Sequence, residues 1–344
     1  MAPGRRALAK VQLGRETTPG TAVAATTIWR GPASFIDDAR TVEMVEEHVG
    51  IIGGTDRLII PKLFATLALA STDATFEQLP WLFAASFGGA HVGVADGTAS
   101  SGYVYATTIP TTAAPSLSGK TLTVETGDDV EAEEMEYSHV TEIRISGTAG
   151  EAVKVEATLQ GRQASRVTFT AALSVPAVES ILASKGTVYI DDDDGNFGGT
   201  QVSAQVLAFQ LSFVARWVVK YTMDGALTFS FPQYTGHEIT GSLTFEHDAT
   251  SVVGAAGEKA KWRARATRAL RLEFDGSAYA TPGTGTLFSG TKGMQIDLPI
   301  QYTKFQPIGE QEGNSIIVAD FVSRYNATLA TAGAVRIANE VTAL

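Results

Sequence analysis

Short runs in which apolar and polar residues alternate recur along the whole of this sequence. The clearest are Lys120–Glu125, Val140–Ser146, Ala152–Thr158, Arg166–Thr170 and Thr187–Ile190. Further runs are Val202–Val214, Ala226–Phe231, Ile239–Phe245, Leu270–Phe274, Gly293–Ile300 and Ser315–Val322. A period of two puts one face of a strand on a core and the other on solvent. Turn residues separate the runs: Gly147 and Gly150, Asp191–Gly195, and Asp224 with Gly225. Many short strands between regular turns predict a mainly β chain of sandwich or barrel type.

With 344 residues, 44% hydrophobic and 18% charged, there is ample material for a core, and the length suggests about two domains. The absence of cysteine excludes disulfide scaffolds, thiolate metal sites and cysteine nucleophiles. Against 37 acidic residues stand 26 basic ones, a net charge of -11, opposite in sign to a nucleic-acid-binding surface. No stretch approaches the roughly 18 apolar residues of a membrane span, and the basic Met1–Lys10 segment is not followed by the apolar run of a signal peptide.

Helical patterns are few. Asp73–Phe87 reads as one helix, with Asp73 as N-cap, and Asp248 to about Arg265 as another. Both open on Asp-Ala-Thr, and each follows an alternating strand, Lys62–Ser71 in one case and Ile239–Glu246 in the other. Each half also has a Gly/Thr/Pro-rich loop, 93–119 and 276–291, before a further group of strands. The shared order of strand, long excursion, strand, helix, loop and strands predicts an internal repeat. The expected division is an N-terminal arm over 1–27, a first domain over 28–178 and a second over 179–344.

No motif carries catalysis. There is no nucleophile elbow, no P-loop and no dinucleotide-binding fingerprint after a strand. No two histidines have the spacing of a helical metal site, and the Asp191–Asp194 run reads as a solvated hairpin turn because calcium loops alternate their ligands. No enzyme activity, cofactor or metal is expected. The acidic block holding Glu131, Glu133, Glu134 and Glu136 reads as a surface facing a lumen or a neighbouring subunit. The basic run with Lys261, Arg263 and Arg265 reads as a face that ion-pairs with an acidic neighbour, in an oligomer the acidic block of another copy.

The segment Val11–Thr27, VQLGRETTPGTAVAATT, resembles the opening of tail tube (major tail) proteins of long-tailed, non-contractile bacteriophages, through Gly14, Glu16, Gly20, Thr21, Ala22 and Val23. The resemblance implies a β-barrel or sandwich domain of the tail-tube type, and the internal repeat makes two such domains in tandem the expectation here. Each would have one flanking helix, with an extended N-terminal arm and long loops that reach neighbours. The resemblance also implies a homo-oligomeric ring of six tube domains stacked into a tube: three chains with pseudo-sixfold symmetry if both halves are tube domains, six chains if the second half is an outward decoration domain. Partners would be tape-measure and tail-terminator or baseplate proteins. Double-stranded DNA would pass through without specific binding, and no membrane would be involved. The protein would belong to the virion, assembled in the host cytoplasm. The expected stacking and interface residues are Val11, Leu13, Glu16, Thr21 and Val23 in the arm. Glu43, Val45, Glu46, Ile51 and Ile52 lie in the 41–60 excursion, and Trp217 and Tyr221 at its counterpart. The alternative function is a baseplate, tail-fibre or carbohydrate-binding β-sandwich module.

Overall fold

The computed structural model describes residues 4–344 apart from 55, 203–204, 249–251, 253, 255 and 285–286. The Asp-Ala-Thr opening of the second expected helix therefore lies partly outside the described residues, as does Met1–Pro3 of the arm.

The first half contains β1 (Lys10–Arg15), β2 (Thr27–Trp29), β3 (Asp37–Asp38), β4 (Thr41–Met44), β5 (Leu58–Lys62) and β6 (Ala65–Asp73). Helix α1 (Leu79–Phe87) follows, then β7 (Val94–Ala95), β8 (Tyr103–Thr108), β9 (Leu122–Gly127), β10 (Ala132–Thr148), β11 (Lys154–Gly161) and β12 (Ala164–Val167). The second half contains β13 (Gly186–Asp192), β14 (Val206–Lys220), β15 (Phe231–Glu246) and helix α2 (Glu258–Arg263). It ends with β16 (Arg268–Ala278), β17 (Thr291–Phe305), β18 (Gly309–Gln311), β19 (Asn314–Ser323) and β20 (Ala334–Asn339). The chain is mainly β, with its strands in large antiparallel sheets wrapped as a barrel and β4–β5 as a separate hairpin.

The strand pairing repeats. In the first half, β9 lies between β1 and β10, β10 carries β12 along its N-terminal part and β11 along its C-terminal part, and β11 pairs with β6. In the second half, β16 lies between β13 and β17, β17 carries β20 and then β19 in the same way, and β19 pairs with β15. Both central strands bulge at one threonine. Thr141 Oγ1 donates to the Thr158 carbonyl at 3.1 Å, and Thr303 Oγ1 donates to the Asp320 carbonyl at 3.1 Å. Such a bulge leaves one residue unpaired and fixes the register on either side. The two bulges thus align the halves residue by residue.

One buried cluster runs through both halves, from Val11 to Ile337. Further links cross between them: β10 pairs with β14, and β8 pairs with β20. Ile181, just beyond the 178/179 division, donates its N–H to the Ala74 carbonyl at 2.8 Å and accepts from Val153 at 2.8 Å.

Several local expectations are corrected. The first helix starts at Leu79, not after Asp73, with Pro80 in its first turn, where a missing N–H costs nothing. Asp73 closes β6 and pairs with Lys154. The second helix is limited to Glu258–Arg263. The 93–119 loop contains β8, an alternating Tyr-Val-Tyr-Ala-Thr-Thr strand that the Gly- and Thr-rich surroundings mask. Ala226–Ser230 is the turn of the β14–β15 hairpin rather than a strand, with Asp224 accepting the Ala226 N–H at 3.0 Å. Residues 10–15 are not a free arm: β1 pairs with both β2 and β9 because Val11 and Leu13 alternate into the core.

Candidate assembly surfaces

The halves meet at a closed joint. From Glu142 to Thr148, the edge of β10 opposite β11 is filled by Ala208–Val214 of β14, with Ile143 opposite Phe213. Phe213 is fully buried and meets Phe83 and Phe87 of α1 edge-on, with ring centroids 5.5 and 6.5 Å apart. Burying such a ring contributes about 1.5–3 kcal/mol, and edge-on aromatic pairs add about 1 kcal/mol. Trp217 donates its Nε1–H to the Ser86 carbonyl at 2.9 Å, the last turn of α1. His139 packs against Trp217 and Phe229 with no partner for Nε2, and burial pushes its pKa down to about 4.

The expected interface residues fall into distinct places. Val11, Leu13 and Glu16 are buried within the chain. Glu16 accepts from Tyr137 N at 2.7 Å, Gly20 N at 2.8 Å, Thr121 Oγ1 at 2.6 Å and Thr123 Oγ1 at 3.1 Å. Burial raises its pKa, and those hydrogen bonds partly offset the rise. It anchors the 16–20 turn to the sheet. Thr21 is exposed, and Val23 is half-buried with its N–H bonded to Thr123 Oγ1 at 3.0 Å. Trp217 belongs to the internal joint rather than to a free surface. An apolar alternation on a strand looks the same whether it faces a core or a partner, so sequence could not separate these cases.

Two hairpins leave apolar side chains uncovered. The β4–β5 hairpin and its loop expose Val42, Met44, Val49, Ile51, Ile52 and Leu58, beside exposed Glu43 and Glu46 and half-buried Val45. The tip of the β14–β15 hairpin exposes Val218, Met223 and Phe231, while Tyr221 donates to the Leu63 carbonyl at 3.2 Å. That bond lays the second tip against the root of the first hairpin. Exposed apolar side chains gathered on two hairpins are candidates for an interaction surface.

The acidic block lies on the N-terminal part of β10. Glu131 is exposed and 3.8 Å from Arg166, Glu133 and Glu134 are half-buried, and Glu136 is buried. Burial raises the Glu134 pKa, and the neighbouring Glu125, Glu136 and Glu16 carboxylates push it further. In the basic run, Lys261 and Arg268 pair with Asp192, Arg268 also with Glu258, and Arg271 with Asp297. These acids belong to the same chain and lie outside the acidic block. Arg263 and Arg265 remain exposed beside Gln301 and Tyr302.

Sequence reasoning missed the polar face of the joined sheet. A broad depression crosses β11, β10, β14, β15, β19 and β17, lined by residues such as Ser146, Gln210, Ser212, Thr240 and Ser242. Its charges come in both signs, with Arg144 paired to Glu142, Lys154 to Asp73 and Arg216 to Glu238. The signal was in the polar positions of each alternation, read only as solvent-facing. Among the described residues no cluster of His, Asp or Glu could hold a metal, and no helix is long and apolar enough to cross a membrane. No family model matches the chain, and no curated protein matches its sequence.

Proposed function

We propose that this is a structural protein that assembles with copies of itself into rings stacked as the tail tube of a long-tailed bacteriophage. The internal joint carries the reading. Two halves with one pairing pattern are joined head to tail by adding a strand of one to the sheet of the other. A head-to-tail contact repeated between copies closes into a ring when its rotation permits. Three chains then supply six like positions. The apolar hairpins are the stacking elements.

On this reading the polar sheet face lines the bore. Its paired charges and small hydroxyl side chains offer DNA neither a cationic grip nor a wall of like charge. This refines the inference from net charge: the excess of acid sits elsewhere, much of it on the N-terminal part of β10 and in the β4–β5 hairpin. The carbohydrate-binding alternative needs exposed aromatic platforms, and no exposed aromatic lines the depression.

Electron microscopy of the purified protein, with sedimentation over a concentration series, tests the proposal. Rings or hollow tubes of uniform bore are the expected result. A strictly monomeric protein at high concentration and over varied salt would refute it.

A further inference from the structure

The internal joint specifies which segments of two copies should meet, an inference that rests on the self-assembly reading above. The Thr141 and Thr303 bulges place Glu142 in correspondence with Lys304, Ile143 with Phe305 and Arg144 with Gln306. Through β11 and β19, Ala65 and Thr66 correspond to Ile239 and Thr240. Asp38 and Asp37, which face Ala65 and Thr66, then take the places of Phe213 and Ser212.

Neither corresponding edge is filled by a strand among the described residues, although Ser34 and Ile36 are buried within their own chain. Among the described residues no strand fills the edge of the second half from Lys304 onward, and none pairs with the outer edge of β3. The same two stretches are broken where their counterparts are continuous. β14 spans 15 residues, whereas its equivalent is divided into β3 and β4. β10 spans 17 residues, whereas β17 stops at Phe305 ahead of Pro307.

The chemistry of the two stretches is complementary. Each helix is followed by a left-handed residue, Gly88 at φ 70° directly after α1 and Arg265 at φ 58° two residues after the end of α2, and we align the helices on these. That alignment puts Ala260 and Ala264 where α1 has Phe83 and Phe87. The apolar socket for Phe213 becomes a small-residue surface flanked by Arg263 and Arg265, and Phe213 itself becomes Asp38. Neither arginine takes part in an ion pair among the described residues, whereas Asp38 is paired with Arg40 of its own chain and must share or exchange that partner on contact between copies. We infer that Ser34–Ala39 of one copy adds antiparallel to Lys304–Gly309 of the next, with Ala39 opposite Lys304, Asp38 toward the Arg263–Arg265 shoulder and Asp37, in the place of Ser212, toward the opposite, polar face of the sheet. One rung is silent on both sides. Pro307 has no N–H, and the Ile36 N–H is held by Thr126 Oγ1 at 3.1 Å. The joint between copies is therefore shorter and more polar than the internal one.

The chain has no cysteine, so engineered thiols report cleanly. Ala39→Cys protein is mixed with Lys304→Cys protein and oxidised. Glu310→Cys protein replaces the latter as the off-register control. The internal counterpart of the 39–304 pair, Glu142 opposite Val214, is a close non-hydrogen-bonded pair suited to a disulfide. A covalent dimer is expected from the first mixture and not from the control. Rings or tubes without that cross-link would overturn the edge assignment while leaving assembly standing, and a wild-type protein that never associates would remove both. Separately, Arg263→Glu with Arg265→Glu should weaken association at least tenfold, and adding Asp38→Lys should recover part of it while Asp37→Lys should not. Unchanged association in the glutamate variant, with a native circular dichroism spectrum, overturns the charge pairing.

Discussion

At position 213 the chain places a phenylalanine inside a closed joint; at the corresponding position 38 it places a half-buried aspartate, paired with Arg40, on an edge that no strand fills among the described residues. The same contrast holds one layer away, where His139 is buried beneath Trp217 and its counterpart Gln301 is exposed. An internal joint forms once, during folding, and can rely on apolar burial. A joint between molecules must leave each partner stable and dispersed beforehand, which favours short edges, charge and proline. On the assembly proposed above, equivalent positions in one pairing pattern carry opposite chemistry because their joints form at different stages.

The contrast can be broken from its strongest side first. Phe213→Ala should cost about 3–5 kcal/mol by emptying the socket of α1, read by chemical denaturation, whereas Asp38→Ala should change stability little. A similar loss at both positions would end the distinction. Next, His139 is held neutral, with a pKa down at about 4 against an ordinary 6.5. The unfolded chain therefore takes up a proton first, so stability present above pH 6.5 is lost as pH falls toward 4, by about 3 kcal/mol. His139→Phe should abolish that loss, and denaturation midpoints across this range measure it.

Glu134 should act with the opposite sign. Its raised pKa favours the fold below the ordinary carboxylate value, and that contribution is lost as pH rises through the raised one. Glu134→Gln should flatten this slope and slightly stabilise the protein at neutral pH, and an unchanged slope would place the charge strain elsewhere. The smallest stability effect is expected at the exposed tip. Ile51→Ser with Ile52→Ser should stay within about 0.5 kcal/mol of the native protein while reducing tube length in micrographs. Full-length tubes from that variant would assign stacking to another surface.

Much of this organisation is legible in the residues. Alternation locates most strands, and element order exposes the repeat although residue identity between the halves is low. Register is not legible, because the bulges depend on which carbonyl a threonine hydroxyl reaches, and many threonines look alike. The helix start fails for a local reason: Ser71, Thr72 and Asp73 extend β6 along β11, and that ladder outcompetes the capping role Asp73 could play. The arm departs from expectation because Val11 and Leu13, apolar positions expected to meet a neighbouring copy, seat β1 in the core of their own chain. Trp217 illustrates a deeper limit. A tryptophan that joins two halves of one chain carries the same signature as one that joins two chains.

The segment between β12 and β13 has a consequence for the pace of assembly. It tethers the two halves covalently, so the internal joint forms at an effective concentration on the order of millimolar however dilute the protein is. In a ring built from three such chains, half of the joints exist before any two molecules collide. Assembly then pays translational and rotational entropy for the other half alone, which lowers the concentration at which a complete ring becomes the favoured state.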